Sequence, residues 1–484
     1  MEKTTLTALL SDAERVELTG DDVPVTGVAY RSDHVTPGDV FFCIPGFRAD
    51  GHDFAADAVA RGAVALVGER LLPGLDVPMA VVDSSRRALA LASARYHGFP
   101  TRSLDVVGIT GTNGKTTTAY LLDSILRADG RLTGLIGTVE TRVAGARRGS
   151  SRTTPESADL QRLFAEMRDV GVTGVSMEVS SHAIDLGRVD GTTFAVAAFT
   201  NLTQDHLDYH HTLEEYWAVK RRLFTSMDVR ARVINIDDPA GLELATALEA
   251  SVTVGRTAGA TVRATDEQSG PVSTSFTLVT PHGSARVLLP LAGAYNVENA
   301  LVAAGSALAL GIGLETVVEG LEHAPQVPGR LERIDEGQEF TVLVDYAHTP
   351  DSLAKAIESV RAVTPGRVIV VFGCGGDRDP DKRVMMGSAA GRLADEVVIT
   401  SDNPRSEDPV GIILQIEDGV REAGGSYRVE VDRRAAISSA LGEAQAGDAV
   451  LLAGKGHEDY QIFSDRTVHF DDREVAREEL RKLC

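Results

Sequence analysis

A glycine-rich loop between a predicted strand and a predicted helix constrains this chain more than any other feature. An apolar run from Leu104 to Ile109 predicts a buried strand, and Ala119-Tyr120-Leu121-Leu122 opens an amphipathic helix. Between them lies Thr110-Gly111-Thr112-Asn113-Gly114-Lys115-Thr116-Thr117. Such a loop cradles phosphate, because its backbone N–H groups and the helix N-terminus all favour an anion. The sequence therefore predicts an α/β fold that binds a nucleoside triphosphate at the end of one strand of its sheet.

The spacing of this loop departs from the strict P-loop pattern at one position. That pattern requires glycine at position 109, where this chain has Ile109. Lys115 is placed to reach the β- and γ-phosphates, and the Thr116 hydroxyl is placed to bind Mg²⁺. The alternative is a tight glycine turn without a ligand, which Gly-Lys-Thr at a strand–helix junction disfavours.

The length of the chain predicts several domains. At about 100–200 residues per domain, 484 residues favour three. Phe99-Pro100-Thr101 is a predicted linker before the nucleotide strand, and Pro328-Gly329-Arg330 is a second one. We therefore predict an α/β protein with a small N-terminal α/β domain over 1–98, a central P-loop-type ATP-binding domain with a parallel sheet over 99–330, and a C-terminal Rossmann-like domain over 331–484.

Charge and composition exclude several classes of function. The net charge of −22 argues against binding to nucleic acid or to anionic membranes, which need a positive surface. The sequence has no apolar run of about 18 residues, and its N-terminus lacks the apolar core of a signal peptide. Cys43, Cys374 and Cys484 form no paired motif, which fits a reducing compartment. We expect a cytoplasmic monomer without membrane insertion.

Reactive side chains follow two further predicted strands of the central block. Glu178 ends a strand predicted over 172–179, and a carboxylate in an apolar context is costly unless it is paired or binds a metal. A strand predicted over 194–200 leads into a polar segment, 200–211, that contains three histidines. Because Mg²⁺ prefers oxygen ligands and no zinc ligand set is evident, we place one histidine beside a phosphate-bound Mg²⁺. A salt-bridged structural role is the alternative for Glu178.

Four predicted strands of the last block end in polar or glycine-rich loops. The strands are predicted over 340–344, 368–372, 396–400 and 449–452. The loops are Asp345-Tyr346-Ala347-His348, Gly375-Gly376-Asp377-Arg378-Asp379, Asp402-Asn403-Pro404-Arg405 and Gly454-Lys455-Gly456-His457-Glu458. Arginine binds carboxylate in a bidentate manner, and Asp and Glu bind ammonium. Since the carboxyl ends of parallel strands meet at one edge, the loops predict a rim that binds an amino acid.

The order and spacing of these motifs resemble the Mur ligases, the ATP-dependent amide-bond-forming ligases of peptidoglycan precursor synthesis. The resemblance runs from about residue 25 to about residue 465. The motifs that carry it are Thr110 to Thr117, Glu178 to His182, Thr200-Asn201 with Asp205-His206, Asn296 to Asn299, Pro328-Gly329-Arg330 and Asp345 to His348.

The resemblance implies a reaction. It is strongest to the member that joins meso-diaminopimelate to the D-glutamate γ-carboxylate of UDP-N-acetylmuramoyl-L-alanyl-D-glutamate, and so supports cell-wall synthesis, cell shape and cell division. ATP would convert the carboxylate to an acyl phosphate, which the amine would attack, and two Mg²⁺ ions are expected to offset the repulsion between anions. Asp402-Asn403-Pro404-Arg405 resembles the diaminopimelate motif of that member, whereas lysine-adding members usually lack its arginine.

The resemblance also implies roles for individual residues. The catalytic residues would be Lys115, Glu178, His206 and Lys220, the last carbamylated by CO₂, although its sequence context alone indicates only a basic helix face. ATP would contact Gly111, Thr112, Asn113, Gly114, Lys115, Thr116, Thr117, Asn296, Asn299, Arg330 and Asp345. The UDP-linked substrate would contact Ser32, Phe47, Arg48, Ala49, Thr153, Thr154, Ser180 and Arg188. Diaminopimelate would contact Arg378, Asp402, Asn403, Pro404, Arg405, Gly454 and Glu458, and metal would contact Thr116, Glu178, His206 and Lys220.

The N-terminal block departs from the family pattern. The uridine pocket typically carries Asp-Ser-Arg, whereas this chain reads Tyr30-Arg31-Ser32-Asp33, with acid and base exchanged around the serine. Gly46-Phe47-Arg48-Ala49-Asp50-Gly51 fits the uridine site better, and Leu186 replaces a residue that is polar in some members. We therefore expect the detailed UDP contacts to differ.

Two other readings of the function stay open. One is a related ligase that uses lysine or another diamino acid, or that adds glutamate to folate; the N-terminal block and the Asp402–Arg405 motif disfavour the folate enzyme. The other is a nucleotide-binding relative without ligase activity. The joint presence of Lys115, Glu178, His206 and Lys220 argues against it, because a binding module needs no second metal site.

Overall fold

The structure is a computed structural model that describes residues 4–47, 49–150, 152–248, 252–270 and 272–483. The described residues form two compact units. The first lies within Met1–Thr110, Gly130–Ala198 and Ala218–Arg232, and the second lies within Gly111–Asp129, Phe199–Trp217 and Val233–Cys484. Each unit is thus assembled from segments that are distant in the sequence. The boundaries of the three sequence blocks stay a prediction.

Helices and strands alternate along much of the chain, as an α/β fold requires. The helices are α1 (Leu6–Leu9), α2 (Ala55–Ala60), α3 (Ser85–Tyr96), α4 (Lys115–Ala128), α5 (Ser157–Asp169), α6 (Ser181–Asp185), α7 (Leu207–His210), α8 (Leu213–Thr225), α9 (Pro239–Ala247), α10 (Ala294–Ala309), α11 (Leu314–Glu322), α12 (Pro350–Arg361), α13 (Asp381–Leu393), α14 (Pro409–Glu422), α15 (Arg433–Glu443) and α16 (Asp472–Leu483). The strands are β1 (Thr4–Thr5), β2 (Val16–Thr19), β3 (Pro24–Val25), β4 (Gly27–Ala29), β5 (Asp39–Phe42), β6 (Ala65–Gly68), β7 (Met79–Val82), β8 (Asp105–Thr110), β9 (Thr133–Ile136), β10 (Glu140–Val143), β11 (Ala146–Gly149), β12 (Gly174–Glu178), β13 (Thr193–Phe199), β14 (Asp228–Asn235), β15 (Val252–Gly255), β16 (Val262–Ser269), β17 (Thr274–Thr280), β18 (Gly283–Leu289), β19 (Glu332–Ile334), β20 (Thr341–Asp345), β21 (Val368–Phe372), β22 (Glu396–Ile399), β23 (Tyr427–Val429), β24 (Ala449–Ala453), β25 (Tyr460–Ile462) and β26 (Thr467–His469).

The N-terminal part of the first unit is a small sheet covered on both faces. Its strand order is β2-β7-β6-β5-β4, in which β4 to β7 are parallel and β2 is antiparallel at one edge. Because side chains alternate along a strand, Val40 and Phe42 pack with Leu89 of α3 on one face. Phe41 packs with Leu66 on the other face, beside α2. The small N-terminal α/β domain predicted from the sequence is therefore present.

Parallel strands in the rest of the first unit carry polar residues at their ends. β12 pairs in parallel with β8 and with β9, so Thr110 and Glu178 end neighbouring strands at the same edge. The strands predicted over 172–179 and 194–200 are confirmed as β12 and β13. The antiparallel strands β10 and β11 add to β9 and make this part a mixed sheet.

The sequence of 252–291 predicts β-hairpins with turns near 269–271 and 281–283, and the second unit confirms this prediction only in part. β16, β17 and β18 are antiparallel, with the predicted turn before Gly283. The hairpin prediction is wrong for β15, which pairs in parallel with β14 and with β16. Alternating apolar residues suit either direction of pairing, so the pattern could not distinguish them. Pro271, in the other predicted turn, lies outside the described residues.

A six-stranded sheet forms the C-terminal part of the second unit. Its order is β19-β20-β24-β21-β22-β23, parallel throughout except for β19 at one edge. Leu353, Met386 and Ile416 pack on one face from α12, α13 and α14. Ile437 and Leu480 pack on the other from α15 and α16. The four predicted strands are confirmed as β20, β21, β22 and β24, and their carboxyl ends share one edge.

Two further predictions concern helices. A segment rich in Ala and Leu predicts a helix over 298–310, and the structure confirms it as α10, which begins four residues earlier at Ala294. The predicted linker at 99–101 instead leads into a 3₁₀ helix over Pro100–Ser103. In the described part of the chain, no helix has the length and apolar character needed to span a membrane.

Candidate active site

The glycine-rich loop of the second unit adopts a backbone that requires glycine. α4 begins at Lys115, directly after Gly114 with φ +87°. A Cβ on Gly114 would lie 2.2 Å from the Asn299 Oδ1, and one on Gly111 would lie 1.9 Å from the Thr200 Oγ1. The loop thus has the tight, left-handed turn that brings N–H groups to a helix N-terminus. This geometry supports the predicted phosphate cradle.

The Lys115 ammonium lies over the loop. Its Nζ donates to the carbonyl oxygens of Gly111, at 2.9 Å, and Thr112, at 2.8 Å. Lysine carries three donors and no acceptor, so a phosphate oxygen can take a place beside or instead of these carbonyls. The ammonium is therefore positioned for the role predicted for it.

The residues that directly follow β13 form hydrogen bonds with the glycine-rich loop. The Thr200 hydroxyl donates to the Asn113 carbonyl at 2.6 Å, and the Asn201 Oδ1 accepts from the Asn113 N–H at 2.9 Å. The Thr112 N–H donates to the Asn201 carbonyl at 2.8 Å. Thr200 and Asn201 therefore position the nucleotide loop, a function that the motif alone did not specify.

Asn296 and Asn299, both buried, lie one turn apart on α10. The Asn299 amide donates to the Asn296 Oδ1 at 3.0 Å, and the Asn296 amide donates to the Ala292 carbonyl at 2.7 Å. The Thr118 hydroxyl of α4 reaches the Asn299 Oδ1 at 3.5 Å. The two amides are therefore ordered beside the loop, and their contact with ATP stays a prediction.

Arg330 and Asp345 lie together in the second unit. The Arg330 guanidinium donates to the Thr116 hydroxyl at 3.2 Å and stacks 4.5 Å from the centre of the Tyr346 ring. The Asp345 carboxylate accepts from the N–H groups of Leu331, at 2.7 Å, and Ala347, at 2.8 Å. Burial raises the pKa of Asp345, against the opposing charge of Arg330. Arg330 is thus beside the loop, and Asp345 fixes the backbone that carries it.

The side chains of Asp205 and His206 lie close together near the start of α7. The Asp205 Oδ2 lies 3.5 Å from the His206 Nε2, and His206 has φ +54°. Burial acts to raise the pKa of Asp205, but the charges of His206, His348 and Lys115 outweigh it, so the pKa lies below its usual range. Asp205 is therefore an ionised partner for the predicted metal-binding histidine, a role that sequence reasoning did not assign.

Glu178 is buried at the end of β12 in the first unit, with 1% exposure. Its Oε1 accepts from the Thr138 N–H at 2.7 Å, and its Oε2 accepts from the Thr138 hydroxyl at 3.1 Å. The same hydroxyl lies 3.0 Å from the Thr153 Oγ1. Sequence reasoning missed Thr138, because a lone threonine after a strand carries no distinctive pattern.

The predicted substrate residues beside Glu178 form a connected set. The Thr154 hydroxyl donates to the Glu178 carbonyl at 2.9 Å and accepts from the Ser180 N–H at 3.2 Å. Arg188 donates to the Thr154 carbonyl at 3.3 Å and pairs with the Glu156 Oε1 at 3.0 Å. The structure therefore brings Thr153, Thr154, Ser180 and Arg188 together.

Glu156 pairs with three arginines, and its role was not predicted from the sequence. Besides Arg188, its carboxylate pairs with Arg152 and, at 3.5 Å, with Arg86 of α3. Arg86 also donates to the Pro45 carbonyl at 3.3 Å. The only sequence signal was the position of Glu156 two residues after the predicted Thr154.

The N-terminal substrate residues lie on exposed loops. Arg31 and Asp33 pair with each other at 2.8 Å on either side of the half-buried Ser32. Phe47 is 78% exposed, and Ala49 is exposed. Arg48 lies outside the described residues. The exchanged acid and base therefore form a local ion pair, and the uridine contacts stay a prediction.

The predicted amino-acid residues meet at the carboxyl edge of the C-terminal sheet. The Asn403 amide donates to the Glu458 Oε2 at 2.8 Å, and its Oδ1 accepts from the Ile462 N–H at 2.9 Å. The Arg405 guanidinium donates to the Gly376 carbonyl at 2.7 Å, and Pro404 lies between these two residues. These contacts join the loops after β21, β22 and β24.

Charge and close packing shape the same rim. A Cβ on Gly454 would lie 2.7 Å from the Asp402 Oδ2. Burial and the negative charge of Asp402 raise the pKa of Glu458. Lys455, which is fully buried, lies 3.5 Å from the Glu458 Oε2. Arg378 differs from the others, because it is exposed and donates to the neighbouring Asp377 carbonyl at 3.1 Å.

The residues predicted to bind metal are divided between the units. Thr116 and His206 lie in the second unit, and Glu178 and Lys220 lie in the first. Across the described residues, His, Cys, Asp and Glu side chains form no group of three or more that could hold a metal. The predicted metal ligands therefore include two groups outside these residue types, the Thr116 hydroxyl and a carbamate on Lys220. Their donors fit Mg²⁺, because they are mostly oxygen and the Glu178 carboxylate is buried.

Comparison with known proteins places this geometry in a family. Residues 24–97 match "Mur ligase family, catalytic domain", residues 109–307 match "Mur ligase middle domain", and residues 329–456 match "Mur ligase, glutamate ligase domain". The three matches follow in order, which confirms the predicted three-domain α/β class.

Curated relatives and a solved structure agree with these matches. The chain is 49% identical, over 466 residues and 95% of each chain, to UDP-N-acetylmuramoyl-L-alanyl-D-glutamate--2,6-diaminopimelate ligase of Geobacillus thermodenitrificans strain NG80-2. It has the same identity and coverage to the ligase of that name from Geobacillus kaustophilus strain HTA426. A solved structure of a ligase with this name shares 31% identity over 99% of both chains, with a TM-score of 0.71. The chain belongs to the Mur ligase family.

Proposed function

We propose that this ligase joins meso-diaminopimelate to the D-glutamate γ-carboxylate of UDP-N-acetylmuramoyl-L-alanyl-D-glutamate, with conversion of ATP to ADP and phosphate. The product is a peptidoglycan precursor. Relatives that carry the name of this activity are 49% identical over 95% of the chain, which supports the proposal. The observation that carries the choice of amino acid is the Arg405, Asn403 and Glu458 cluster.

At the ATP end, the chain supplies positive charge and oriented N–H groups. The carboxylate oxygen of the substrate attacks the γ-phosphorus, and ADP leaves with the bonding electron pair. Both reactants are anions, so Lys115 and Arg330 stabilise the charge that they bring together. Gly111 and Gly114 allow the loop backbone to approach the phosphates closely.

We propose Thr116, Glu178, His206 and carbamylated Lys220 as the residues that hold two Mg²⁺ ions. Bound Mg²⁺ supplies charge neutralisation to the phosphates and the carboxylate. Lys220 is 1% exposed, and a carbamate on its side chain would present oxygen ligands to a metal ion, which an ammonium cannot do. Dependence of activity on bicarbonate, absent in Lys220→Arg, tests the carbamate.

At the amino-acid end, we propose that a guanidinium and two carboxylates recognise diaminopimelate. The Arg405 guanidinium binds the distal carboxylate, and the Glu458 and Asp402 carboxylates bind the neighbouring ammonium. The amine at the other end of the molecule then attacks the acyl phosphate, a C–N bond forms, and phosphate leaves. L-lysine lacks the distal carboxylate, so it cannot use Arg405.

The test is phosphate release from ATP in the presence of the UDP-linked dipeptide, with meso-diaminopimelate, L-lysine or no amine. We expect release with diaminopimelate only, and loss of release in Lys115→Ala. Arg405→Ala should raise the KM for diaminopimelate about 10- to 100-fold, as expected for a charged hydrogen bond, with the KM for ATP unchanged. Release with lysine alone refutes the specificity, and release without amine dependence refutes the ligase.

We also propose that the enzyme acts as a monomer in the cytoplasm, where ATP is supplied. Sedimentation of the purified protein at several concentrations tests the first statement. A mass that rises with concentration toward a dimer would contradict it.

A further inference from the structure

A fully buried ion pair lies beneath the proposed amino-acid site. Arg433 begins α15 and Asp472 begins α16, and both side chains have no exposure. The guanidinium binds the carboxylate in a bidentate manner, with Nε at 2.8 Å from Oδ1 and NH2 at 2.6 Å from Oδ2. Burial of an arginine is costly unless its donors are satisfied, so the remaining contacts of Arg433 are informative.

The remaining contacts of Arg433 are hydrogen bonds to backbone carbonyls at the start of two loops. Arg433 donates to the Ala453 carbonyl at 3.0 Å and to the Ser401 carbonyl at 3.4 Å. Ala453 is the last residue of β24, directly before Gly454, and Ser401 directly precedes Asp402. One guanidinium therefore contacts the backbone at the start of both loops that carry the proposed diaminopimelate residues.

Charge links the pair to the same loops. Burial acts to lower the pKa of Arg433, but the charges of Asp472, Asp402 and Glu458 outweigh it and raise the pKa. The guanidinium thus places a positive charge beside Asp402 and Glu458, in addition to the Lys455 ammonium 3.5 Å from the Glu458 Oε2. It offsets part of the repulsion between these two carboxylates while no substrate ammonium is bound.

We infer that the Arg433–Asp472 pair is a positioning element that couples the two amino-acid-binding loops, so that Asp402, Asn403 and Glu458 are held in one geometry for the incoming amino acid. This inference rests on the proposed function for the identity of the ligand, but the coupling of the loops is a property of the protein alone. It also gives α16 a part in the site, although the match to the glutamate ligase domain ends at residue 456.

The same sheet provides a control ion pair at its opposite edge. Arg367 pairs with Asp448 at 2.7 Å and donates to the Glu443 carbonyl at 2.9 Å. These residues precede β21 and β24, so the pair lies at the amino ends of the strands, opposite the proposed site. Arg367→Met should therefore disturb an arginine–aspartate pair of the same sheet, in which the arginine is 45% exposed, without reaching the amino-acid loops.

The first measurement is hydrogen exchange of the backbone, which needs no ligand. In Arg433→Met combined with Asp472→Leu, which leaves no lone buried charge, exchange should rise at least tenfold in residues 401–405 and 453–458 together. Arg367→Met should leave both segments unchanged. Faster exchange in one segment only, or in neither, overturns the coupling.

The second measurement is the KM of the full-length enzyme for diaminopimelate and for ATP. The double variant should raise the KM for diaminopimelate at least tenfold and change the KM for ATP less than twofold. Arg433→Lys, which keeps the charge but not the planar set of donors, should give a smaller rise and serves if the double variant does not fold. A folded variant with an unchanged KM for diaminopimelate overturns the inference.

The two proposals fail in different ways. If the wild-type enzyme shows no diaminopimelate-dependent phosphate release, the proposed function fails, while the exchange experiment still tests the coupling. If the wild type uses diaminopimelate and the variants match it, the coupling fails and the proposed function stands.

Discussion

The loops proposed to bind the amino acid and the loop proposed to bind uridine differ in how their residues are held in place. The amino-acid loops begin at the ends of parallel strands, and buried side chains such as Asn403 and Arg433 bind one loop to the next. In the proposed uridine loop, Gly46 to Gly51, side-chain hydrogen bonds of the described residues lie at the base. There Asp50 accepts from the buried His52, with its Oδ1 2.6 Å from the Nδ1, and from Arg70 at 2.8 Å. Its tip carries the exposed Phe47.

This difference between the loops indicates that the amino-acid site needs the more rigid backbone. A small zwitterion offers few atoms, so discrimination depends on a preformed arrangement of charges. A large UDP-linked substrate offers many contacts along its length, so each of its loops can be held less tightly. Substitutions in the amino-acid loops should therefore have large, selective effects, whereas substitutions near the uridine loop should have small ones.

The largest expected effect is at Gly454. This residue has φ +108°, and a Cβ there would lie 2.7 Å from the Asp402 Oδ2. Gly454→Ala should raise the KM for diaminopimelate more than tenfold, in addition to a backbone cost of about 1–2 kcal/mol in the free energy of unfolding. Gly424 has φ +74° and nothing within 4 Å of its Cβ position. Gly424→Ala should show the backbone cost without the change in KM; equal KM changes would refute the comparison.

The second effect is a pH dependence of amino-acid binding. Burial and Asp402 raise the pKa of Glu458, and only the ionised carboxylate attracts an ammonium. The affinity for diaminopimelate should therefore fall as pH is lowered from neutrality, before an ordinary glutamate would titrate, by up to about tenfold per pH unit. Calorimetric titration at several pH values measures it. Glu458→Gln should bind weakly at every pH, and a wild-type slope retained in that variant would contradict the assignment.

A smaller effect is expected at Arg86, beside the uridine loop. Its guanidinium contacts the Pro45 carbonyl and Glu156, so it links the proposed uridine loop to a carboxylate that also pairs with the predicted substrate residue Arg188. Arg86→Ala should raise the KM for the UDP-linked substrate about 5- to 10-fold, the net effect of about one ordinary hydrogen bond. Arg87→Ala is the control, because Arg87 is 54% exposed and pairs with Glu14. The same change in both variants would remove Arg86 from the site.

The smallest effect is expected at Phe47. Because its side chain is 78% exposed, Phe47→Ala should change the free energy of unfolding by less than about 0.5 kcal/mol. The KM for the UDP-linked substrate should rise about 2- to 5-fold, from the loss of apolar contact with the substrate. Thermal melts and steady-state kinetics give both values. A large loss of stability would show that the loop is as rigid as the amino-acid loops.

Part of the fold followed directly from the sequence. The strands β20, β21, β22 and β24 are short apolar runs bounded by polar loops, so their pattern predicted them without tertiary information. The parallel pairing of β15 could not be predicted, because alternation does not encode the direction of a partner strand. The hairpin of β10 and β11 was not predicted either, because neither strand contains an apolar run, although β10 is buried and β11 is exposed.

The candidate site divides in the same way. The sequence determined which residue types stand at which strand ends: the glycines of the loop, Lys115, Glu178 and the Asp402–Arg405 motif are local patterns of spacing. The tertiary structure alone decided which side chains support them. Thr138 under Glu178, Glu156 beside Arg86 and Arg188, and Arg433 beneath the proposed amino-acid loops are distant in sequence from the residues that they contact. A hydrogen bond between distant segments depends on how the elements pack, and that packing leaves no periodic trace in the sequence.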